Sequence, residues 1–179
     1  MEITSPGIIS DLIFLRVSGE ITDKGGYVKV LTPHNPDYYF GNLLILPAPP
    51  DDPEKAVALF DAEFADADGV QHHTFMWEPT AALSDTTKKA FTADGFFYNH
   101  TSVLTANAVH TDKPAPNGIT FRKLETDAEW DAALDMQMTL NLNDHPRDAY
   151  IAFKTQQFLQ YRDMAEAGLG GWFGAFKGD

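Results

Sequence analysis

Asp112-Lys113-Pro114-Ala115-Pro116-Asn117-Gly118 interrupts the chain with two prolines, a glycine and four other residues, none of them large and apolar. Proline removes a backbone donor and keeps the residue before it extended, so neither a helix nor a central strand passes through such a run. Apolar patterning stops before it and restarts at Ile119. The sequence is therefore predicted to organise as a segment 1–111, a linker 112–118 and a segment 119–179.

Within 1–111, residues 11–16 form a short apolar run, either a strand or the last turn of an N-terminal segment. Residues 20–32 read as a hairpin: Asp23-Lys24-Gly25-Gly26 is turn chemistry, and Tyr27-Val28-Lys29-Val30-Leu31 alternates behind it. Pro33 and Pro36 bracket a loop carrying Tyr38-Tyr39-Phe40, three aromatics that are core more readily than ligand platform. Leu43-Leu44-Ile45-Leu46 is continuously apolar, as in a strand covered on both faces. Asp52 is a good N-cap and Pro53 suits the first helical position. Behind them Val57, Phe60 and Phe64 share one face, leaving Asp61, Glu63 and Asp66 toward water. Strands over 71–77 and 96–104 flank a helix over 83–91. The order β-β-β-α-β-α-β predicts an α/β (α+β) fold, a mixed and largely antiparallel sheet with covering helices.

After the linker, residues 119–124 alternate as a strand. Thr126-Asp127-Ala128-Glu129 is a capping box, in which the two end residues reciprocally satisfy backbone donors. Trp130, Leu134 and Met138 recur every fourth residue along a helix to about 142, which Asn143-Asp144-His145-Pro146 breaks. A longer helix over 146–167 carries Tyr150, Phe153, Phe158, Tyr161 and Met164, with Gly168 as its C-terminal cap. Trp172, Phe173 and Phe176 then make a buried strand, and Lys177-Gly178-Asp179 is turn chemistry that expects a returning strand. That ending predicts a fold that continues past Asp179.

Strand, capped helix, short loop, second helix and a strand opening Gly171-Trp172-Phe173-Gly174-Ala175-Phe176 resemble the start of a GNAT-superfamily N-acetyltransferase domain over 119–179. The segment Tyr39-Phe40-Gly41-Asn42-Leu43-Leu44-Ile45-Leu46-Pro47, with the later Phe60-Asp61-Ala62-Glu63-Phe64, is similar to the N-terminal region of two-part bacterial GNAT proteins. The resemblance implies an incomplete GNAT-like architecture, with 1–111 a degenerate half. For the intact protein it implies acetyl transfer from acetyl-CoA to a small-molecule amine, with a general base removing the amine proton and backbone donors holding the oxyanion.

The resemblance also implies a phosphate cradle, Arg/Gln-x-x-Gly-x-Gly/Ala, whose backbone donors hold the coenzyme pyrophosphate at a helix N-terminus. The near match Ala165-Glu166-Ala167-Gly168-Leu169-Gly170 lacks the basic or amide residue and follows a helix, so it reads as a C-cap. The cradle is accordingly expected beyond Asp179, and the chain alone is expected neither to bind acetyl-CoA nor to transfer an acetyl group. No catalytic residue is assigned. In that family the loop between the first two helices lines the acceptor site, which points here to Asn143, Asp144, His145 and Tyr150. Turn and cap chemistry suffices for the first three without a ligand and is the favoured reading of them.

Other chemistries have little support. Twenty-six acidic against 13 basic residues give a net charge of −13, which repels nucleic acid, serves solubility and would suit a cationic substrate. There is no cysteine for a disulfide, a thiolate metal site or a nucleophile. His72 and His73 are adjacent on a predicted strand and point to opposite faces, and no His-Glu-x-x-His occurs, so no metal is expected. Asp66-Ala67-Asp68-Gly69 lacks the later ligands of a calcium loop, and no serine lies in Gly-x-Ser-x-Gly. The N-terminus has no signal-peptide pattern and the longest apolar stretch is far too short to span a bilayer, so a cytoplasmic protein without membrane contact is expected. The alternative to a severed enzyme is a non-enzymatic α/β module that binds a ligand or partner, including a second copy through the edge strand 171–176.

Overall fold

The computed structural model describes residues 1–108, 114–140 and 146–178, and the chain divides into two units, Met1–Val103 and Leu104–Asp179. In the first, α1 (Pro6–Leu12) starts where the Ser5 side chain accepts from the Ile8 N–H and Pro6 enters the first turn. A single 3₁₀ turn, Ile13–Leu15, continues it. The apolar run from residue 11 is thus helical and not a strand, because the Ser-Pro start signal lies upstream of it.

Strands β1 (Glu20–Asp23), β2 (Val28–Leu31) and β3 (Leu43–Leu46) pair antiparallel in that order, and β4 (Phe75–Trp77) joins β3 in parallel. The sheet is mixed and largely antiparallel, as predicted. The hairpin turns where expected: Gly25 takes φ 85°, open to glycine at no steric cost, and its N–H donates to Asp23 Oδ1 at 2.8 Å.

β3 is the centre of this unit. Ile45 packs with Ile8, Leu15, Val28 and Val30 on one face of the sheet, while Leu44 packs with Phe60 and Phe64 of α2 (Pro53–Phe64) on the other. That two-sided cover explains the unbroken apolar run. Next to it, Asn42 is fully buried. Its Oδ1 accepts from the Thr32 N–H at 2.8 Å, and its Nδ2 lies within reach of the carbonyls of Asn35, Pro36 and Tyr38 at 2.9, 3.2 and 3.0 Å. One side chain therefore closes the loop ahead of β3.

Glu78, just past β4, is buried and accepts from Thr4 N–H and Oγ1 and from Ser5 N–H at 2.8, 2.9 and 3.1 Å. Burial alone would raise its pKa. The donors from Ser5 and Thr4 outweigh that and hold it below the usual glutamate range.

Four expectations for this unit are corrected. Tyr39 and Phe40 are exposed and not core. Glu63 does not face water: the Tyr27 hydroxyl donates to it at 2.6 Å and Lys24 pairs with it at 2.9 Å, tying the hairpin to α2. Only Phe75–Trp77 of the predicted strand 71–77 is in the sheet. His72 and His73 ahead of it engage the Asn42 carbonyl and Asp61 at 3.2 and 2.8 Å instead. Residues 96–104, after α3 (Asp85–Ala93), form no strand. Phe96 and Tyr98 lay their rings beside Phe75 and Trp77, at centroid distances of 6.0 and 6.2 Å, but among the described residues no backbone bond joins the segment to β4. The alternation is real and the ladder is missing.

The second unit holds β5 (Ile119–Lys123), α4 (Asp127–Thr139), α5 (Arg147–Glu166) and β6 (Phe173–Lys177). β6 pairs antiparallel with β5, from Ile119↔Lys177 to Lys123↔Phe173. The last strand is therefore partnered, and it is half exposed where a buried strand was expected. Only one face of the ladder meets the helices. On that face Arg122 pairs with Glu129 of α4 and stacks on Phe176 at 3.8 Å. Between helices and strands, buried Trp130 lies 6.5 Å from Phe158 and 6.1 Å from Trp172, which stacks on Tyr161 at 4.3 Å. Gly168, φ 74°, ends α5 as a C-cap, and the Leu169 N–H donates to the Met164 carbonyl at 3.0 Å.

The capping box forms as read. Thr126 Oγ1 accepts from the Glu129 N–H at 3.3 Å, and Glu129 Oε2 accepts from the N–H groups of Glu125 and Thr126 at 2.7 and 3.1 Å. The Arg122 guanidinium first, then those two backbone donors, pull the Glu129 pKa from 4.5 to about 2. A folded-state value below the unfolded one adds stability that is complete above the ordinary glutamate pKa and disappears as pH falls toward about 2. Glu129→Gln is expected to flatten the acid dependence of urea unfolding in that window, followed by far-UV circular dichroism. An unchanged slope would remove Glu129 as its source.

Candidate functional site

Of the four residues the resemblance singles out, Asn143, Asp144 and His145 lie outside the described residues. Tyr150 is described. It sits in the first turns of α5, half-buried, and its hydroxyl donates to the backbone carbonyl of Gln137 on α4 at 3.2 Å. The two helices are thereby tied together at the end where the family's acceptor loop would lie.

Going along α5 from Tyr150, the side chains turned inward are unexpectedly polar. Lys154 is half-buried, with Nζ 5.7 Å from the Tyr150 ring centroid and 5.3 Å from that of Phe153, and it donates to Gln157 Oε1 at 2.8 Å. Burial pushes its pKa down, and among the described residues no carboxylate offsets that cost. Gln157 and Gln160 are buried, and Gln160 Nε2 has no hydrogen-bond partner among the described residues. A buried, unpaired amide donor costs free energy that proteins normally avoid. Tyr150, Lys154, Gln157 and Gln160 therefore form a row of polar groups along α5, in which the Gln160 amide donor stays unpaired among the described residues.

Lys154, Gln157 and Gln160 escaped the sequence reading, which followed only aromatic spacing along this helix. They fall four, seven and ten residues after Tyr150, so the 3.6-residue period puts Lys154 and Gln157 on its face and Gln160 at the edge of it. The signal was present for anyone who admitted polar residues to a buried stripe.

Elsewhere among the described residues one other buried side-chain polar atom, Ser18 Oγ, lacks a partner. A hollow of about 160 Å³ toward the end of α5 is lined by Lys123, Glu125, Trp130, Arg162 and Glu166. Arg162 there is engaged by Asp127 at 2.6 Å and Glu166 at 2.8 Å, which leaves little positive charge for an anion. His73 meets Asp61, and Tyr39 lies 4.2 Å from His72 between ring centroids. Among the described residues no group of three or more His, Asp or Glu side chains is arranged to hold a metal, and no helix is long and apolar enough to cross a membrane. Compared with known proteins, the chain matches no family model, no curated sequence and no solved structure.

Proposed function

We propose that residues 119–178 are the opening strand, helix pair and second strand of a GNAT-type acyltransferase that moves an acetyl group from acetyl-CoA to an amine. One observation carries the reading: β5 and β6 are antiparallel neighbours although two whole helices separate them in sequence. That strand–helix–helix–strand return is how such a domain begins. The inner face of α5 supports an acceptor site beside Tyr150. With Lys154 and Gln160 there, the acceptor amine would also carry a carbonyl or carboxylate, since an ammonium repels a second cation.

No Arg/Gln-x-x-Gly-x-Gly/Ala segment occurs in the sequence, so this reading puts acetyl-CoA binding on residues other than these. Calorimetric titration of the 179-residue chain with acetyl-CoA is expected to give no heat of binding. A product extended along the reading frame past Asp179 is expected to bind and to encode the cradle at the opening of a helix. Binding by the 179-residue chain, or an extension without that cradle, overturns the reading.

A further inference from the structure

The face of β5 and β6 turned away from the helices is both apolar and basic. Directly paired residues of an antiparallel ladder share a face, so Ile119, Phe121 and Lys123 lie beside Lys177, Ala175 and Phe173. Phe121 is 61% and Phe173 67% exposed, with both lysines exposed around them. The two strands carry Arg122, Lys123 and Lys177 and no acid, in a chain whose net charge is −13. Arg122 is taken by Glu129 on the other face. Lys123 leans over the Phe173 ring, 5.9 Å from its centroid, at the end of the ladder where it also borders the hollow lined by Trp130, Arg162 and Glu166.

The complement to this face lies on α4. Trp130, Ala133, Leu134, Gln137 and Met138 are its covered side. The outer side carries Asp131 and Asp135 next to Ala132, Met136 and Leu140, each set at four-residue spacing along one stripe. Met136 is 56% and Leu140 47% exposed. An apolar stripe edged with acid thus stands on the same chain as an apolar face edged with lysine.

We propose that a second copy of this chain lays the outer side of its α4 across the β5–β6 face. Met136 and Leu140 would cover Phe121 and Phe173, and Asp131 and Asp135 would meet Lys123 and Lys177. The spacing permits it. The aspartates are about 6 Å apart along the helix and the lysine backbones about 13 Å apart along the strands. Flexible four-carbon stems close the difference. A strand added at the sheet edge would leave both rings uncovered, and a nucleic acid meets too much negative charge elsewhere on the chain.

The Arg122–Glu129 pair fixes α4 on the opposite side of the sheet from the lysine face. The two patches therefore point in opposite directions, and the contact is head-to-tail. Such contacts build an open series and not a closed pair. The inference stands apart from the acyltransferase reading and survives its failure.

Sedimentation velocity on the whole chain tests it. The weight-average sedimentation coefficient is expected to climb without a plateau as concentration rises to about 1 mM. The doubly substituted Lys123→Glu/Lys177→Glu and Asp131→Lys/Asp135→Lys proteins are each expected to remain monomers. Mixed in equal amounts they are expected to associate again, because each altered patch then meets its complement, a recovery no folding defect would give. A wild-type monomer throughout, a discrete dimer, or a mixture that stays monomeric overturns the proposal.

Discussion

Asn42→Ala is expected to lower the stability of the first unit by about 3 kcal/mol, the scale for stranding several buried polar groups at once. The substitution removes one acceptor and one amide donor group. It leaves the Thr32 N–H and the carbonyls of Asn35, Pro36 and Tyr38 without the partner that gathers them. Asn42→Asp keeps the acceptor but turns the donor end into a charge facing carbonyls, so it should be no better tolerated. Urea unfolding followed by hydrogen exchange in peptides from β2 and β3 reads the effect locally, which matters because two units need not unfold in one step. A loss under about 1 kcal/mol would mean that water replaces the side chain and that Asn42 does not organise the loop.

Trp130→Ala should cost the second unit about 3–5 kcal/mol, the usual range for truncating a buried tryptophan. The indole is the piece that α4 puts between α5 and the strand-leading residue Trp172. Among the described residues each of the two strands of the small sheet has one neighbour, and one face of the sheet is covered, so it has few other contacts to fall back on. Loss of protection across α4, α5, β5 and β6 in hydrogen exchange is the expected readout. Protection that drops in α4 alone would show that the tryptophan anchors its own helix and no more.

Elements announced by local chemistry were legible in the sequence. Asp52-Pro53, Thr126 with Glu129, the turn at Gly25 and the cap at Gly168 each act within a few residues, and each stands where it was read. Elements whose existence depends on a distant backbone were not. Phe96 and Tyr98 alternate like a strand and even find their ring partners, yet no ladder forms. β6 has the aromatic content of a buried strand, but how much of it is covered depends on what else packs on the sheet. The candidate site divides the same way. Tyr150 was visible through the resemblance, whereas Lys154 and Gln160, although at helical spacing from it, are marked out by their burial on α5, which depends on what packs against the helix.

The parallel seam between β3 and β4 has a consequence for the order of folding. β1 and β2 meet across a tight turn and can pair within about 10 µs, as hairpins do. β4 reaches β3 only across α2 and its flanking loops, and closing that longer loop costs more chain entropy than closing the hairpin does. Until then the most apolar strand of the chain, Leu43–Leu46, waits with one side unpaired. During synthesis that interval lasts at least until Trp77 has left the ribosome, and it is when this chain is most exposed to wrong partners.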